Sequence, residues 1–244
     1  MGGTEDKTWI VQALERGEIT LQGEMLLGSN YTFLVQVRYQ DENIPAIYKP
    51  TRGEQPLWDF PPGTLALREA AAYVVSQALG WELVPPTVHR RRGPLGKGSL
   101  QWFVDHDPEY HYFTFTPEDR QRLRPVALFD LLVNNADRKG GHILFDRDHH
   151  LWLIDHGICF HVEDKLRTVV WDFAGEAIPP PYLKDIERFM MALKERSEPW
   201  VAALETLLSP AEIQALIRRA QRLLRAGCFP HPPAGRRYYP WPPV

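Results

Sequence analysis

Four charged residues stand at positions whose order and spacing could support phosphoryl transfer. Lys49 lies in the apolar stretch IPAIYKP, and Glu69 lies in the Ala-rich segment that follows it. Asp137 comes after a long apolar segment, and Asp155 ends the stretch LWLID eighteen residues later. Phosphoryl transfer requires a cation that holds the phosphates, carboxylates that hold a metal and a carboxylate near the acceptor hydroxyl. These four residues can supply all of those groups.

A tight turn is predicted at Gly28, Ser29 and Asn30, because these residues interrupt the alternating pattern of ITLQGEMLLGSNYTFLVQVRY. The alternation predicts one strand on each side of the turn, and IPAIYKP predicts a third strand of the same antiparallel sheet. The backbone of the turn could cover phosphates while Lys49 projects from the third strand. A turn, a strand lysine and a helix glutamate in this order are typical of kinases.

The rest of the first hundred residues completes a sheet with helices beside it. A short amphipathic helix is predicted at 8–17, and LALREAAAYVVSQAL predicts a long helix that Gly80 ends. ELVPPTVHR and SLQWFVD predict two further strands. This half of the chain is therefore expected to form a five-stranded sheet.

The second half is predicted to be mainly helical, with helices at 117–135, 182–196 and 209–227 and a hairpin in ILFDRDHHLWLID. Ser209 and Glu212 have the spacing of a capping box, and Gly227 is a C-terminal stop. We predict an α+β fold of two lobes with a cleft between them: an N-lobe at residues 1–104 and a C-lobe at residues 105–244.

Composition limits the classes of partner. The 28 Lys and Arg against 31 Asp and Glu give a net charge of -3, so no global basic field favours nucleic acid. No leader pattern or apolar run of membrane-spanning length is present, which predicts a cytoplasmic protein without a membrane span. Cys159 and Cys228 are expected to be reduced thiols. The Pro-rich stretch HPPAGRRYYPWPPV fits either a packed strap or a flexible end.

The stretches GSNYTFLVQV, AIYKPTRGE, LREAAAYVVSQALGWELVPPTV, NNADRKGGHILFD and LWLIDHGICF resemble the phosphatidylinositol 3- and 4-kinase superfamily. They are most similar to the type II phosphatidylinositol 4-kinases and their bacterial relatives. The resemblance implies a two-lobed protein-kinase-like fold, with an antiparallel sheet and one helix in the N-lobe and a mainly helical C-lobe. It also implies that the protein moves the γ-phosphoryl group of ATP to a hydroxyl of a lipid, a small molecule or a protein.

The resemblance implies a role for each site residue. Lys49 would contact the nucleotide phosphates, Glu69 would orient Lys49, Asp137 would face the acceptor hydroxyl, and Asp155 would bind Mg²⁺ or Mn²⁺. Adenine would lie between the lobes, where the chain crosses from one to the other. The predicted contacts to the nucleotide are Gly28, Ser29, Asn30, Lys49, Phe103, Val104 and Asp105.

One position departs from the family pattern. Five residues after the catalytic carboxylate, kinases of this type carry a metal-binding Asn, and this chain carries His142. We predict that His142 is a metal ligand together with Asp155. The substitution keeps open an alternative, in which the protein binds nucleotide but is a catalytically weak relative or a scaffold.

Two further patterns suggest other functions. Several residues could hold the metal of a phosphohydrolase: His142, His149, His150, Asp155, His156 and His161. Separately, Arg90, Arg91 and Arg92 form a local positive charge that could contact an anionic lipid head group. The commoner meaning of the arginine run is a solvated hairpin tip.

Overall fold

The computed structural model of the chain describes residues 4–25, 31–235 and 237–244. The predicted turn at Gly28, Ser29 and Asn30 lies outside these residues. Seven strands are present in the described part: β1 Glu18–Met25, β2 Thr32–Tyr39, β3 Glu42–Pro50, β4 Thr87–Arg90, β5 Gly98–Trp102, β6 Ile143–Phe145 and β7 Leu151–Leu153. Its α-helices are α1 Thr4–Arg16, α2 Leu65–Leu79, α3 Pro117–Gln121, α4 Arg124–Val133, α5 Pro180–Glu195, α6 Pro199–Leu207 and α7 Pro210–Ala226.

The first five strands form one antiparallel sheet in the order β1-β2-β3-β5-β4. Alternation of the β2 side chains buries Val35 and Val37, which pack with Ile10 and Leu14 of α1 in a small core of their own. The central strand, β3, pairs with β2 on one side and β5 on the other, so that Lys49 lies opposite Ser99. We call the sheet with α1 and α2 the sheet lobe. The predicted five-stranded sheet is confirmed.

Helix α2 is anchored in the other half of the molecule. Its apolar residues Ala71, Val75 and Leu79 belong to the main core, which is built largely by the later helices. Arg68 is 2% exposed, and its guanidinium donates hydrogen bonds to Glu212 at the start of α7 and, at 2.6 Å, to the Cys159 carbonyl. Gly80 ends α2 with a left-handed φ of 75°, as predicted.

The remaining helices and the β6–β7 hairpin form the helical lobe. The single helix predicted at 117–135 is wrong: α3 and α4 are separate, because Pro125 lies in the first turn of α4, where its missing N–H costs no hydrogen bond. Helix α6 was not predicted. The capping box of Ser209 with Glu212 and the stop at Gly227 are confirmed. The α+β division into two lobes is therefore confirmed, while the boundary at residue 104 stays a prediction.

The Pro-rich end of the chain is a packed strap. Pro240 is buried, and Tyr239 packs against the main core. The backbone carbonyls of this Pro-rich end also accept hydrogen bonds from residues of the helical lobe. Among the described helices, none has both the length and the apolar character needed to cross a membrane.

Candidate active site

Lys49 is held between two carboxylates from distant parts of the chain. Its Nζ lies 2.5 Å from Glu69 Oε1 and 3.0 Å from Asp155 Oδ1. Burial by itself lowers the pKa of Lys49, but the negative charges of Asp155 and Glu69 outweigh this effect and raise the pKa above its ordinary value. Lys49 is therefore a permanent cation where the two lobes meet.

Glu69 uses both oxygens to join the sheet lobe to the segment after β7. Oε1 accepts from Lys49, and Oε2 accepts from the backbone N–H of His156 at 2.9 Å. Glu69 is only 3% exposed, so its charge depends on these partners for compensation. Because the preceding residue, Arg68, ties α2 to the helical lobe, Glu69 has a fixed position.

Asp155 presents one carboxylate oxygen to Lys49 and the other to His142. Oδ2 lies 3.3 Å from His142 Nε2, and the side chain remains 47% exposed. The charge of Lys49 holds the pKa of Asp155 far below its usual range, although partial burial opposes this. Its backbone is left-handed, with a φ of 61°, which Asp tolerates better than most residues. Asp155 is therefore ionised and partly open to solvent.

His142 has both ring nitrogens engaged. The backbone N–H of Lys139 donates to Nδ1 at 3.4 Å, so Nδ1 carries no proton in this arrangement. The neutral ring then has its proton on Nε2, the atom that faces Asp155. Burial lowers the pKa of His142 to about 4, against the opposing effect of Asp155, so the ring is neutral near pH 7. This geometry favours a hydrogen bond to Asp155, and the predicted role of His142 as a metal ligand stays untested.

Asp137 has no carboxylate-cation contact as close as those of Lys49. Its nearest cation is Lys139, whose Nζ lies 3.9 Å from Oδ2, and its backbone N–H donates to Asn135 Oδ1 at 2.9 Å. Burial raises the pKa of Asp137 to about 6; Lys139 opposes the rise, and the charge of Asp155 adds to it. Asp137 can therefore take up a proton close to neutral pH.

Arg138 organises the loop around Asp137, and sequence reasoning missed it. The side chain is fully buried, and its Nε contacts both oxygens of Asp130 on α4, at 3.0 and 3.2 Å. Its Nη1 donates to the carbonyls of Ile154 at 2.7 Å and His142 at 3.3 Å. Arg138 thus holds the backbone on both sides of the site. Its place directly after Asp137 was the only sequence signal.

His156 connects Arg138 to Glu69. Arg138 donates to His156 Nε2 at 2.8 Å, which assigns the ring proton to Nδ1. Nδ1 lies 4.0 Å from Glu69 Oε2 and has no hydrogen-bond partner among the described residues. Burial holds the pKa of His156 well below its usual value, with the charge of Arg138 acting in the same direction. His156 is therefore a neutral, buried linker.

The predicted adenine contacts lie on the connection after β5. Phe103 donates its backbone N–H to the Pro45 carbonyl at 3.1 Å, Val104 packs against Leu144 and Trp152, and Asp105 pairs with Arg147 at 2.7 Å. An open cavity of about 370 Å³ includes Asp105 in its lining but none of the four charged residues described first. The nucleotide contacts of this connection stay a prediction.

Three of the histidines that suggested a hydrolase lie apart from His142, Asp155 and His156. Their ring nitrogens have separate partners: His149 contacts Asp119 Oδ1, His150 the Glu82 carbonyl and His161 the Asp59 carbonyl, each at 2.9 Å. In the part of the chain that the structure describes, no three His, Cys, Asp or Glu side chains are grouped to hold a metal. The hydrolase interpretation thus loses its ligand set.

The arginine run is divided between two roles. Arg90 is not available to a lipid head group, because its NH1 donates to the carbonyls of Leu14 at 2.8 Å and Gly17 at 3.2 Å, at the end of α1. Arg91 and Arg92 are exposed. Any peripheral contact through this run is therefore limited to those two residues.

Comparison with known proteins adds an independent line of evidence. The phosphatidylinositol 3- and 4-kinase family matches residues 68–207. Protein Rv2133c of Mycobacterium tuberculosis is 42% identical, over 94% of this chain and 93% of that protein. Phosphatidylinositol 4-kinase gamma 4 of Oryza sativa is 32% identical over 48% of this chain, and the aligned part is 24% of the plant protein.

Solved structures show the same fold. The Golgi casein kinase with Mn/ADP bound superposes with a TM-score of 0.60, covering 100% of this chain and 81% of that chain at 14% identity. The predicted two-lobed, protein-kinase-like fold is therefore confirmed. At this identity the likeness concerns the fold alone.

Proposed function

Because the chain belongs to the phosphatidylinositol 3- and 4-kinase family, we propose that it transfers the γ-phosphoryl group of ATP to a hydroxyl of a second molecule. One observation carries the proposal: Lys49 lies between Glu69 and Asp155, so a phosphate-binding cation and a metal-binding carboxylate are held together. Asp137 stands apart from this group, as a residue that faces the acceptor must.

On the nucleotide side, Lys49 would contact the phosphates, because it remains protonated and its partners fix its position. Glu69 would keep Lys49 in place when phosphate oxygens compete for the ammonium group. Phe103, Val104 and Asp105 would border the adenine. A protein of the same fold has Mn/ADP bound, which supports a nucleotide and a divalent cation as the ligands proposed here.

The residues present fit a divalent cation of the hard type. Asp155 is ionised and 47% exposed, and it would hold Mg²⁺ or Mn²⁺ together with phosphate oxygens and water, which is the usual manner of binding Mg²⁺ at such sites. The metal would neutralise charge on the phosphates. His142 would act either as a second ligand or as a hydrogen-bond donor that orients Asp155.

On the acceptor side, Asp137 would take the proton of the acceptor hydroxyl as the new phosphorus–oxygen bond forms and the bond to ADP breaks. With a pKa of about 6, Asp137 is mostly ionised at pH 7 and still basic enough to receive a proton. Lys139, 3.9 Å away, would compensate charge on the transferred group.

One alternative function has its own support. His142 replaces a metal-binding Asn, and both ring nitrogens are engaged. A protein that binds nucleotide without turnover would tolerate this arrangement. Its action would then be that of a scaffold.

Binding and turnover measurements on the purified protein distinguish these two functions. Calorimetry would measure the binding of ADP and of ATP with Mg²⁺ or Mn²⁺. Release of ADP would then be followed with water, glycerol, a serine-containing peptide and phosphatidylinositol vesicles as acceptors. We expect binding and turnover with one of these classes. Binding without any turnover would favour the scaffold, and no nucleotide binding would exclude both functions.

A further inference from the structure

The strap at the end of the chain reaches the acceptor side of the site. We call residues 237–243 the tail segment. The backbone N–H of Gly140, three residues after Asp137, donates to the Pro243 carbonyl at 2.7 Å. The N–H of Thr168 donates to the Tyr238 carbonyl, and the Tyr239 hydroxyl donates to the Val169 carbonyl, both at 3.1 Å.

These contact points lie on the loop that carries Asp137 and on the neighbouring segment 167–169, which is hydrogen-bonded to that loop. The Arg138 N–H donates to the Arg167 carbonyl at 3.0 Å, and the Val169 N–H donates to the Arg138 carbonyl at 3.2 Å. The tail segment therefore contacts the loop at Gly140 and its neighbour at Thr168 and Val169. No contact that joins the tail segment to Lys49, Glu69 or Asp155 is present among the described residues.

The tail segment is built into the fold at its centre and exposed elsewhere. Pro240 is buried, and burial raises the pKa of the Tyr239 hydroxyl. The Tyr238 ring meets Trp171 edge to face, with centroids 5.9 Å apart. Trp241, by contrast, is 76% exposed. The tail segment is therefore held in a fixed position against the helical lobe.

We propose that the tail segment positions the acceptor side of the site: it holds the loop of Asp137 through Gly140, Thr168 and Val169, and Tyr239 is a positioning residue that ties the tail segment to this backbone. The inference rests on the proposed function only in assigning Asp137 to the acceptor hydroxyl. The sequence pattern of the family match ends at residue 207, so the tail segment is a feature of this chain outside that match.

One substitution, with a matched control, tests the inference in the intact chain. Tyr239→Phe removes the hydroxyl that donates to Val169, and Tyr182→Phe is its control, since the Tyr182 hydroxyl has no hydrogen-bond partner among the described residues. We expect Tyr239→Phe to speed amide exchange at Gly140 and Thr168 about fivefold and to lower turnover by a similar factor, the ordinary effect of one hydrogen bond. Affinity for Mn²⁺·ADP should stay within about twofold.

Two results would overturn the inference. Faster turnover in Tyr239→Phe would mean that the tail segment obstructs the acceptor, and unchanged exchange at Gly140 and Thr168 would reduce it to passive packing. Absence of turnover in the native protein would count against the proposed function alone, because amide exchange decides the inference independently.

Discussion

The two sides of the site differ in how tightly their charges are paired. On the proposed nucleotide side, Lys49 contacts two carboxylates within 3.0 Å, and Glu69 is buried and fixed by a helix that Arg68 anchors. On the proposed acceptor side, the nearest cation to Asp137 among the described residues is 3.9 Å away. The charges of the first side are thus paired with one another. The second side contains the carboxylate of Asp137, whose protonation can change near neutral pH.

This difference in charge pairing agrees with the roles proposed for Lys49 and Asp137. A phosphate-binding cation acts through a charge that must not change, so strong pairing preserves its function. A residue that receives a proton must have a pKa near the working pH, and a close ion pair would lower that pKa and weaken the base. We therefore expect substitutions on the two sides to affect different measurements.

The largest expected effect is on the acceptor side. Asp137→Asn removes the group that receives the proton and should lower turnover at least about 100-fold. Affinity for Mn²⁺·ADP should stay within about twofold of the native value. Calorimetry and ADP release would measure the two quantities, with Asp41→Asn in the exposed β2–β3 turn as the control. A loss of nucleotide affinity equal to that of Asp155→Ala would contradict the division between the two sides.

A substitution on the nucleotide side should lower binding itself. Lys49→Met removes the cation and should weaken ATP affinity at least about tenfold. It also leaves Glu69 buried without its strongest partner, so the melting temperature should fall and recover in part when Glu69→Gln is added. Lys7→Met is the control, because Lys7 pairs with Glu82 outside the site. Unchanged affinity would remove Lys49 from the nucleotide site.

The pH dependence of turnover should report the acceptor side. Because the pKa of Asp137 is raised to about 6, the base is lost as the pH falls through that value. Turnover at saturating nucleotide should therefore drop by about tenfold between pH 7 and pH 5. Lys49 stays protonated throughout, so ADP affinity should change much less over this range. A turnover profile that is flat between these values would argue against Asp137 as the base.

The smallest effect is expected at His142, which faces both sides. If its ring binds metal, His142→Asn should shift the ratio of turnover with Mg²⁺ to turnover with Mn²⁺ at least about threefold towards Mg²⁺, since an amide oxygen suits the harder ion. If His142 only donates to Asp155, the ratio should not move. Turnover measured with each metal, in both proteins, gives the answer.

The sequence predicted the elements that carry Lys49 and Glu69 better than it predicted the network that holds these residues. The positions of Lys49 and Glu69 follow from a strand and a helix with clear local patterns, and the structure brings them together. Asp130, in contrast, lies in α4 and contacts Arg138 only through tertiary packing, so nothing in the local pattern distinguishes it from any helical carboxylate. Pro125 lies at the break between α3 and α4, but the helical pattern continues on both sides of it, so the sequence predicted a single helix.

The tail segment could not be predicted for a related reason. A Pro-rich stretch lacks the periodicity that assigns a buried face, and its hydrogen bonds here come from the N–H groups of other segments. A Cβ at Gly140 would lie 2.9 Å from ring atoms of Phe113, so any other residue there would force that ring to move. That constraint appears only when the chain is folded. The predicted turn at Gly28, Ser29 and Asn30 stays a prediction.

The anchoring of α2 has a consequence for motion. The sheet and α1 share one core, whereas α2 contributes its apolar face to the main core and is tied to α7 through Arg68 and Glu212. Opening and closing of the cleft should therefore move the sheet as a rigid body across a stationary helix. In such a motion the Lys49–Glu69 distance changes while the Glu69–His156 contact does not. Spin labels placed on β2 and α2 should separate on nucleotide release, and labels on α2 and α7 should keep their spacing.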